Sequence, residues 1–573
     1  MGGFQIVEDR PTPKAVYNAR IYTLALVCCT FGLAQKYPLK HELTPPPAFG
    51  ALTFGYDGAF VGTTIARKSF QDAHGITQMS ADRKRQTISN LTSVYLSGAF
   101  FGALFAWPAM ETLGRRFPLQ VAAVVFNVGA ILMFASDHSL AMQYAGRVIT
   151  GLAVGCFTAV IPTFISELSP PAIRGQLTGF FEIMYQAGAL VGFWINFGIN
   201  THMDVTSTKS WKIPMAIQLI PGGLLGIGTF FLKESPAFLL RKGRDEEALA
   251  ILTWIRKLPS DSQYIQEEVG MVRSVMREEA TLGGGKGQGG IMGYLRGAFG
   301  EIIHVKSTRH RIIVTFFMFL FQNFSGAVVI NYYSPTIFKS IGISNVALYT
   351  GIYGLIKAVG SFIFFLFIVD RSGRRKPWLI SAAACTLCLI YLGVFVKIAH
   401  PTDGVPLSKS SKAGANAAIF FIMTYSMFWS FGGNGLPWIV SSEIFPIRLR
   451  SLTGSFAAMC QWLASFASTM AALDLQLKLK WGLFIFFAGC CFATFVFTYF
   501  WVPDTKGIPI ECMDALFAGP SRHMQFRQKK VFPPDGIPPY PDRALNSLSY
   551  ASSLQKQHTE VSEHESKVGA EIA

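Results

Sequence analysis

Three ionisable side chains stand inside long apolar runs: Asp57, Glu182 and Lys357. A charge at the centre of a bilayer costs about 2.5 to 3.5 kcal/mol on insertion scales, so each is a candidate for ligand or ion chemistry. Lys357 is the eleventh of 23 residues between Ala347 and Val369, too deep for its stem to carry the ammonium easily to either surface, and it needs an anionic partner. Glu182 lies eight residues beyond Arg174, about 12 Å along a helix. At helical periodicity Glu182, Gln186, Phe193 and Asn196 share one stripe, which predicts a polar, cavity-facing surface. An ammonium suits an anionic solute and a carboxylate with an amide suits hydroxyl groups. The alternative is a structural Glu182–Lys357 ion pair that touches no ligand.

A second constellation is duplicated. Gly114-Arg115-Arg116 is matched by Gly373-Arg374-Arg375, and Glu167 to Arg174 by Glu443 to Arg450, each Glu preceding its Arg by seven. Carboxylates and guanidinium groups at helix ends form charge-assisted, often bidentate hydrogen bonds, so these residues predict a ring that holds one end of the molecule shut. Ordinary topogenic charge is the plainer reading, and the repeated spacing speaks against it.

Composition says what must position these groups. Of 573 residues 51% are apolar and 15% charged, against about a quarter charged in a soluble domain. With a mean hydropathy of +0.36, 50 Phe and 54 Gly, the chain reads as helices packed against lipid and one another, which excludes a disordered chain and weighs against a soluble enzyme. The net charge of +16 sits in short clusters at the ends of apolar runs, the pattern of a positive-inside bias and not of nucleic-acid binding. The cysteines within apolar runs, Cys156, Cys385, Cys388, Cys460, Cys490 and Cys491 among them, show no disulfide or metal spacing.

A helix needs about 20 residues to cross the hydrocarbon. Twelve runs of that order lie near 21–32 joined with 51–65, then 90–110, 117–136, 141–165, 176–198, 212–232, 311–338, 345–369, 377–398, 417–441, 452–473 and 481–502. The expected fold is therefore an all-α membrane protein with twelve transmembrane helices in two six-helix halves, 21–232 and 311–502. A polar linker domain, 233–310, joins them, with weakly helical stretches at Asp245–Leu258 and Tyr264–Ala280 and a flexible Gly283–Gly290. The basic clusters place the linker, the segment 1–20 and the tail 503–573 on the cytoplasmic side, the tail reading as disordered. Met1–Arg20 shows no cleavable signal. Asn90-Leu91-Thr92 fits a glycosylation sequon but abuts a span, so it is expected to be unused. Parallel halves around a central cavity are the architecture of an alternating-access transporter.

Residues 33–50, LAQKYPLKHELTPPPAFG, break the first run. No lipid-exposed helix accommodates that stretch. Deleting the 18 residues joins Gly32 to Ala51 and leaves one span whose only charge is Asp57, so a retained, in-frame intron is expected. Phe31-Gly32 and Phe49-Gly50 are the same dipeptide, which leaves the junction ambiguous. A real excursion with the helix starting after it is the alternative.

The repeats are accompanied by Phe54-Gly55-Tyr56-Asp57, Gly146-Arg147, Glu234-Ser235-Pro236, Pro437-Trp438 and Pro503-Asp504-Thr505-Lys506-Gly507. On these the chain, from about Phe54 to Glu511, resembles the sugar porter family of the major facilitator superfamily. Glu182–Phe197, Asn331-Tyr332-Tyr333-Ser334-Pro335 and Gly354-Leu355-Ile356-Lys357 resemble its fungal quinate permease branch. The resemblance implies a substrate site of Phe54, Gln322, Asn323, Trp438, Gln461 and Trp462 around Glu182, Gln186 and Lys357, with Glu182 where hexose porters carry a substrate-binding Gln. It implies a cytoplasmic gate of Glu111, Arg115, Arg116, Glu167, Arg174, Glu234, Asp370, Arg374, Arg375, Glu443 and Arg450. Glu111 stands where the family places Asp, and Asp504 where it places Glu. Val328 replaces the Asn with which hexose carriers bind sugar, which speaks against an ordinary hexose. Asp57 and Arg147 resemble the pair of proton-coupled members, although facilitators carry the Asp too.

The expected function is import of quinate or a related polyhydroxylated acid at the plasma membrane, by proton symport. The expected partners are that solute, protons and the bilayer, with no nucleic acid and no cofactor. A neutral monosaccharide carrier is the rival, and a transporter-like nutrient sensor a third reading. No phosphate-binding loop, metal cluster or nucleophile triad points to an enzyme.

Overall fold

The computed structural model describes residues 13, 16, 49–170, 174–204, 206–282, 299–340, 345–399, 409–445, 449–505 and 513–517. Every regular element among them is helical. The first half comprises α1 Phe49–Ile65, α2 Ala81–Leu113, α3 Arg116–Phe134, α4 Leu140–Leu168, α5 Arg174–His202, α6 Lys209–Ile217 and α7 Leu219–Phe230. The linker holds α8 Pro236–Arg241, α9 Asp245–Arg256 and α10 Gln263–Leu282. The second half comprises α11 Lys306–Asn323, α12 Ala327–Ser340, α13 Val346–Ile363, α14 Arg375–Ala399, α15 Lys409–Phe428, α16 Leu436–Ile444, α17 Arg450–Leu479 and α18 Gly482–Trp501.

Seven of these units are long and apolar enough to cross a bilayer: α2, α3, α4, α6 with α7, α13 with its continuation to Ile368, α14 and α18. An eighth is added if α11 and the start of α12, bent by 40°, form one span. Of the rest, α1 has only 17 residues, and α5 and α17 carry interior polar side chains such as Glu182, Gln186, Gln461 and Ser465. Residues 17–48 lie outside the described residues, so of the suspected insert only Phe49 and Gly50 are seen, as the start of α1. The sequon residue Asn90 lies inside α2. The Gly-rich 283–290 stretch also lies outside the described residues.

Close helix approach relies on missing side chains. α1 packs on α5, and a Cβ at Gly55 or Gly188 would run into the backbone carbonyl of Tyr185 or Leu52. Such small-residue crossings replace the hydrophobic drive that lipid removes. Across the halves α2 packs on α17 and α5 on α13, two seams that flank the centre.

Three irregularities shape that centre. α11 and α12 are broken at Phe324-Ser325-Gly326, where Gly326 takes φ +95°. π-helical turns occupy Phe364–Ile368 and Trp429–Gly433. Non-helical backbone at this depth persists only where protein satisfies it: the Ser325 carbonyl accepts from Tyr425 Oη at 2.9 Å and the Ser325 hydroxyl from Trp429 Nε1 at 2.9 Å.

The linker helices share a small core of Leu239, Leu240, Ala248, Leu252, Ile265 and Val269. Arg256 fixes them to the bundle, donating to the Leu168 carbonyl that ends α4 at 2.9 Å and to Glu268 at 2.6 and 3.0 Å. The added helix α8 is capped by Ser235, whose hydroxyl accepts from Phe238 N.

Candidate functional site

Lys357 is 1% exposed. Its ammonium donates to Asn331 Oδ1 at 3.0 Å and lies 4.7 Å from the Trp429 ring centroid and 5.7 Å from that of Tyr353. The Glu182 carboxylate, on α5 of the opposite half, accepts from Asn434 Nδ2 at 3.0 Å. Among the described residues the two charges make no direct ion pair, so the purely structural Glu182–Lys357 bridge is not formed; each charge meets an asparagine instead. One turn beyond Glu182, the buried Gln186 Nε2 has no hydrogen-bond partner in the protein. Gln322 donates to the Asn434 carbonyl while its Oε1 is likewise without a partner. A buried site with spare donors and acceptors is fitted to a hydroxylated solute.

The remaining expected residues fall into two groups. Asn323 donates to Gln461 Oε1 at 2.9 Å and accepts from Ser465 Oγ at 2.5 Å, and Trp438 packs on Phe319 and Phe181 at 4.9 and 6.4 Å between centroids. Phe54 lies between Tyr185 and Trp462, at 4.4 and 5.1 Å. Trp462 Nε1 donates across the halves to Thr158 Oγ1 at 3.0 Å. The helical stripe does not hold throughout: Asn196 turns from the chamber to Arg67, whose Nη2 it meets at 2.8 Å, because that buried guanidinium needs acceptors.

Asp57 and Arg147 form a buried pair, with Arg147 Nη1 donating to both carboxylate oxygens at 2.9 and 3.0 Å. Arg147 Nε donates to the Leu91 carbonyl at 3.2 Å and its Cζ lies 4.3 Å from the Tyr95 ring centroid. The pair ties α1 to α4, so a shift of either helix must stretch it.

At the linker end the two halves build the same cluster. Arg115 Nη2 meets Glu167 Oε1 at 2.7 Å, and Arg374 Nη2 meets Glu443 Oε1 at 2.8 Å. Arg115 Nη1 donates to the Met110 carbonyl and Arg374 Nη1 to that of Val369, at 3.0 and 3.2 Å. Arg116 reaches the Thr229 and Phe230 carbonyls, and Arg375 those of Thr498 and Tyr499. A carboxylate from the end of each half receives the loop: Glu234 accepts from Arg115 N at 2.9 Å and Arg116 N at 3.1 Å, and Asp504 from Arg374 N at 2.9 Å. The Ser235 hydroxyl donates to Glu167 and the Thr505 hydroxyl to Glu443. Gly114 and Gly373 take φ +91° and +77°, and a Cβ on either would strike that carboxylate.

Glu111 accepts from Ser451 Oγ of the opposite half at 2.5 Å and lies 3.7 Å from Arg241. Arg450 is buried at the start of α17. The side chains of Arg174 and Asp370 lie outside the described residues. Sequence reasoning missed Asn331, Asn434 and Trp429, whose placement depends on the helix breaks. It also missed Asp504, Ser235 and Thr505 as cluster members, although Glu234-Ser235 and Asp504-Thr505 stand at matching places after the last helix of each half. Among the described residues no group of three or more His, Cys, Asp or Glu could hold a metal ion.

Residues 43–517 match the family described as sugar (and other) transporter. The chain is 41% identical over 517 residues to a protein named probable quinate permease from Aspergillus fumigatus, covering 89% of this chain and 90% of that one. It is 42% identical over 523 residues to a protein of the same name from Aspergillus terreus, covering 90% of each. The fold superposes on the major facilitator superfamily proton:xylose symporter XylE bound to 6-bromo-6-deoxy-D-glucose with a TM-score of 0.70 at 22% identity, over 87% of this chain and 99% of that one. It superposes on the inward-open XylE of E. coli with a TM-score of 0.64 at 21% identity, over 87% and 100%. The chain thus belongs to the sugar (and other) transporter family, the sugar porters of the major facilitator superfamily.

Proposed function

We propose that this transporter imports quinate or a closely related polyhydroxylated carboxylic acid across the plasma membrane, with protons, by alternating access of twelve spans in two six-helix halves. The observation that carries the reading is the Lys357 ammonium, buried in the second half and, among the described residues, touched only by neutral groups, an oxygen of Asn331 and two aromatic faces, with Glu182 acting on it through space without contact. It has no carboxylate in hydrogen-bond contact among the described residues, and a solute carboxylate supplies one through a charge-assisted hydrogen bond. Glu182 and Gln186 then take ring hydroxyls from the other half, and Gln322, Asn323, Gln461, Trp438, Trp462 and Phe54 close the chamber. A ligand that spans both halves draws them together, which couples binding to rocking.

Asp57 takes up a proton when the rocking of α1 against α4 draws Arg147 away. A monoanion moving with one proton carries no net charge, so accumulation is driven by the pH gradient, worth about 1.4 kcal/mol per unit, and not by the membrane potential. The linker-end clusters act as the cytoplasmic gate, with both termini and the linker domain 233–310 on that side. The segment 33–50 is read as a retained intron, which transcript sequencing across Thr30–Thr53 tests.

A neutral monosaccharide is the second reading, favoured by the amide cluster Asn323, Gln461 and Gln322, which suits uncharged hydroxyls as well. Counterflow of labelled quinate and labelled glucose in the same cells separates the two. Quinate exchange with alkalinisation of a weakly buffered medium is expected; glucose exchange without quinate exchange overturns acid import.

A further inference from the structure

Glu182 and Lys357 bring opposite charges into one buried region, near enough to act on each other through space, yet among the described residues they form no ion pair. Attraction between unit charges in such surroundings is strong, so something must hold them apart. Each is held by an asparagine that a helix irregularity delivers. Asn331 lies on α12 after the break at 324–326 and turns its oxygen to the ammonium; Asn434 follows the π-turn Trp429–Gly433 and turns its NH2 to the carboxylate. The Asn434 backbone is held in turn, its carbonyl accepting from Gln322. Asn331 is itself 7% exposed and Asn434 3%.

We propose that Asn331 is a positioning residue for recognition, which with Asn434 as its counterpart keeps the Lys357 ammonium apart from Glu182, so that the chamber selects solutes with a carboxylate at one end and hydroxyl donors at the other. The inference rests on the acid-import reading. An amide suits the role because it hydrogen-bonds a charge without cancelling it, whereas an aspartate at the same place would neutralise the ammonium. Of three ammonium protons only one is engaged by Asn331, and the faces of Trp429 and Tyr353 steady the charge without saturating it. Glu182, acceptor-only when ionised, keeps lone pairs for hydroxyls.

The experiment measures inhibition of labelled quinate uptake by unlabelled quinate and by its uncharged methyl ester, with surface level followed on a tagged chain. Wild type prefers the acid and Lys357→Met loses that preference; if wild type does not tell acid from ester, the acid-import reading itself fails. Asn331→Asp is expected to move the acid-to-ester preference at least tenfold toward the ester. A preference kept within twofold, with Lys357→Met behaving as stated, overturns the positioning role and leaves acid import standing. Asn331→Leu removes the amide and lets the ammonium close on Glu182, so affinity for acid and ester falls together. Adding Glu182→Gln to it removes the attraction and restores affinity for the acid to within a few-fold of Glu182→Gln alone. A purely structural Asn331 gives no such rescue, so absence of rescue at normal surface level, or loss of every Asn331 variant from the membrane while Glu182→Gln is present, overturns the proposal.

Discussion

At the linker end Arg115 meets Glu167 as Arg374 meets Glu443, at 2.7 and 2.8 Å, whereas the central chamber has no such repetition. Glu182 lies 182 − 167 = 15 residues after Glu167; the same step from Glu443 reaches Ala458. Lys357 lies 374 − 357 = 17 residues before Arg374; the same step back from Arg115 reaches Gly98. On the proposed reading the ends stay equal because both halves do the same mechanical work there. On the same proposed reading the centre diverged because it reads one asymmetric solute, with one charge from each half. The chamber also keeps Gln186 Nε2, Gln322 Oε1 and the Tyr353 hydroxyl buried without protein partners. Such atoms cost about 1–3 kcal/mol each when left unsatisfied, a cost that fits a place reserved for ligand.

If that division of labour is right, the largest effects belong to the unduplicated charges. Lys357→Met should lower quinate uptake more than 100-fold at unchanged surface level, and uptake within threefold of wild type would remove the chamber from the comparison. Asp57→Asn should next abolish proton coupling, read as loss of substrate-induced alkalinisation while counterflow persists. Alkalinisation that survives the change would make the Asp57–Arg147 pair a static tie. At the duplicated ends the loss should be milder and shared. Removing one partner of a buried ion pair costs about 3–5 kcal/mol, less here because Glu443 is 20% exposed and Glu167 11%. Glu167→Gln should therefore destabilise the purified protein somewhat more than Glu443→Gln, since Arg115 is 1% exposed and Arg374 8%. The reverse order in thermal unfolding would mean that the two clusters are not mechanically equivalent.

The same contrast decides what could be read from the sequence. Helix positions were legible because lipid demands long apolar runs, and the clusters because they are written twice, so that Gly-Arg-Arg and the spaced glutamates announce each other. Lys357 and Glu182 were visible because a charge inside an apolar run is expensive wherever it lies. Their partners were not. Asn331 and Asn434 are ordinary amides in sequence, and they reach the charges only because α11–α12 breaks at 324–326 and a π-turn shifts the register at Trp429–Gly433. A uniform 3.6-residue period also placed Asn196 with Glu182, while the acceptors demanded by Arg67 draw it elsewhere. Periodicity predicts which face a residue occupies, and competing buried charges decide what it does there.

The smallest expected effect tests how far the equality of the ends extends, at Glu234 and Asp504. The longer Glu234 arm lets its carboxylate accept from three backbone N–H groups, those of Arg115, Arg116 and Ser235, at 2.9, 3.1 and 2.8 Å. Asp504, one methylene shorter, takes the Arg374 N–H at 2.9 Å among its contacts, with its carboxylate in the space that a Cβ on Gly373 would need. Shortening Glu234 to Asp gives up part of that set, and hydrogen bonds to a charged group are worth about 1.5–3 kcal/mol each. Glu234→Asp should therefore destabilise measurably and slow transport several-fold. Lengthening Asp504 to Glu removes no acceptor and needs room for one methylene, which the edge of the cluster, where Asp504 is only partly buried, can give. Asp504→Glu should leave uptake within twofold and unfolding nearly unchanged. If the two substitutions cost the same, arm length is not what distinguishes the clusters, and the equality of the two halves reaches further than their residues suggest.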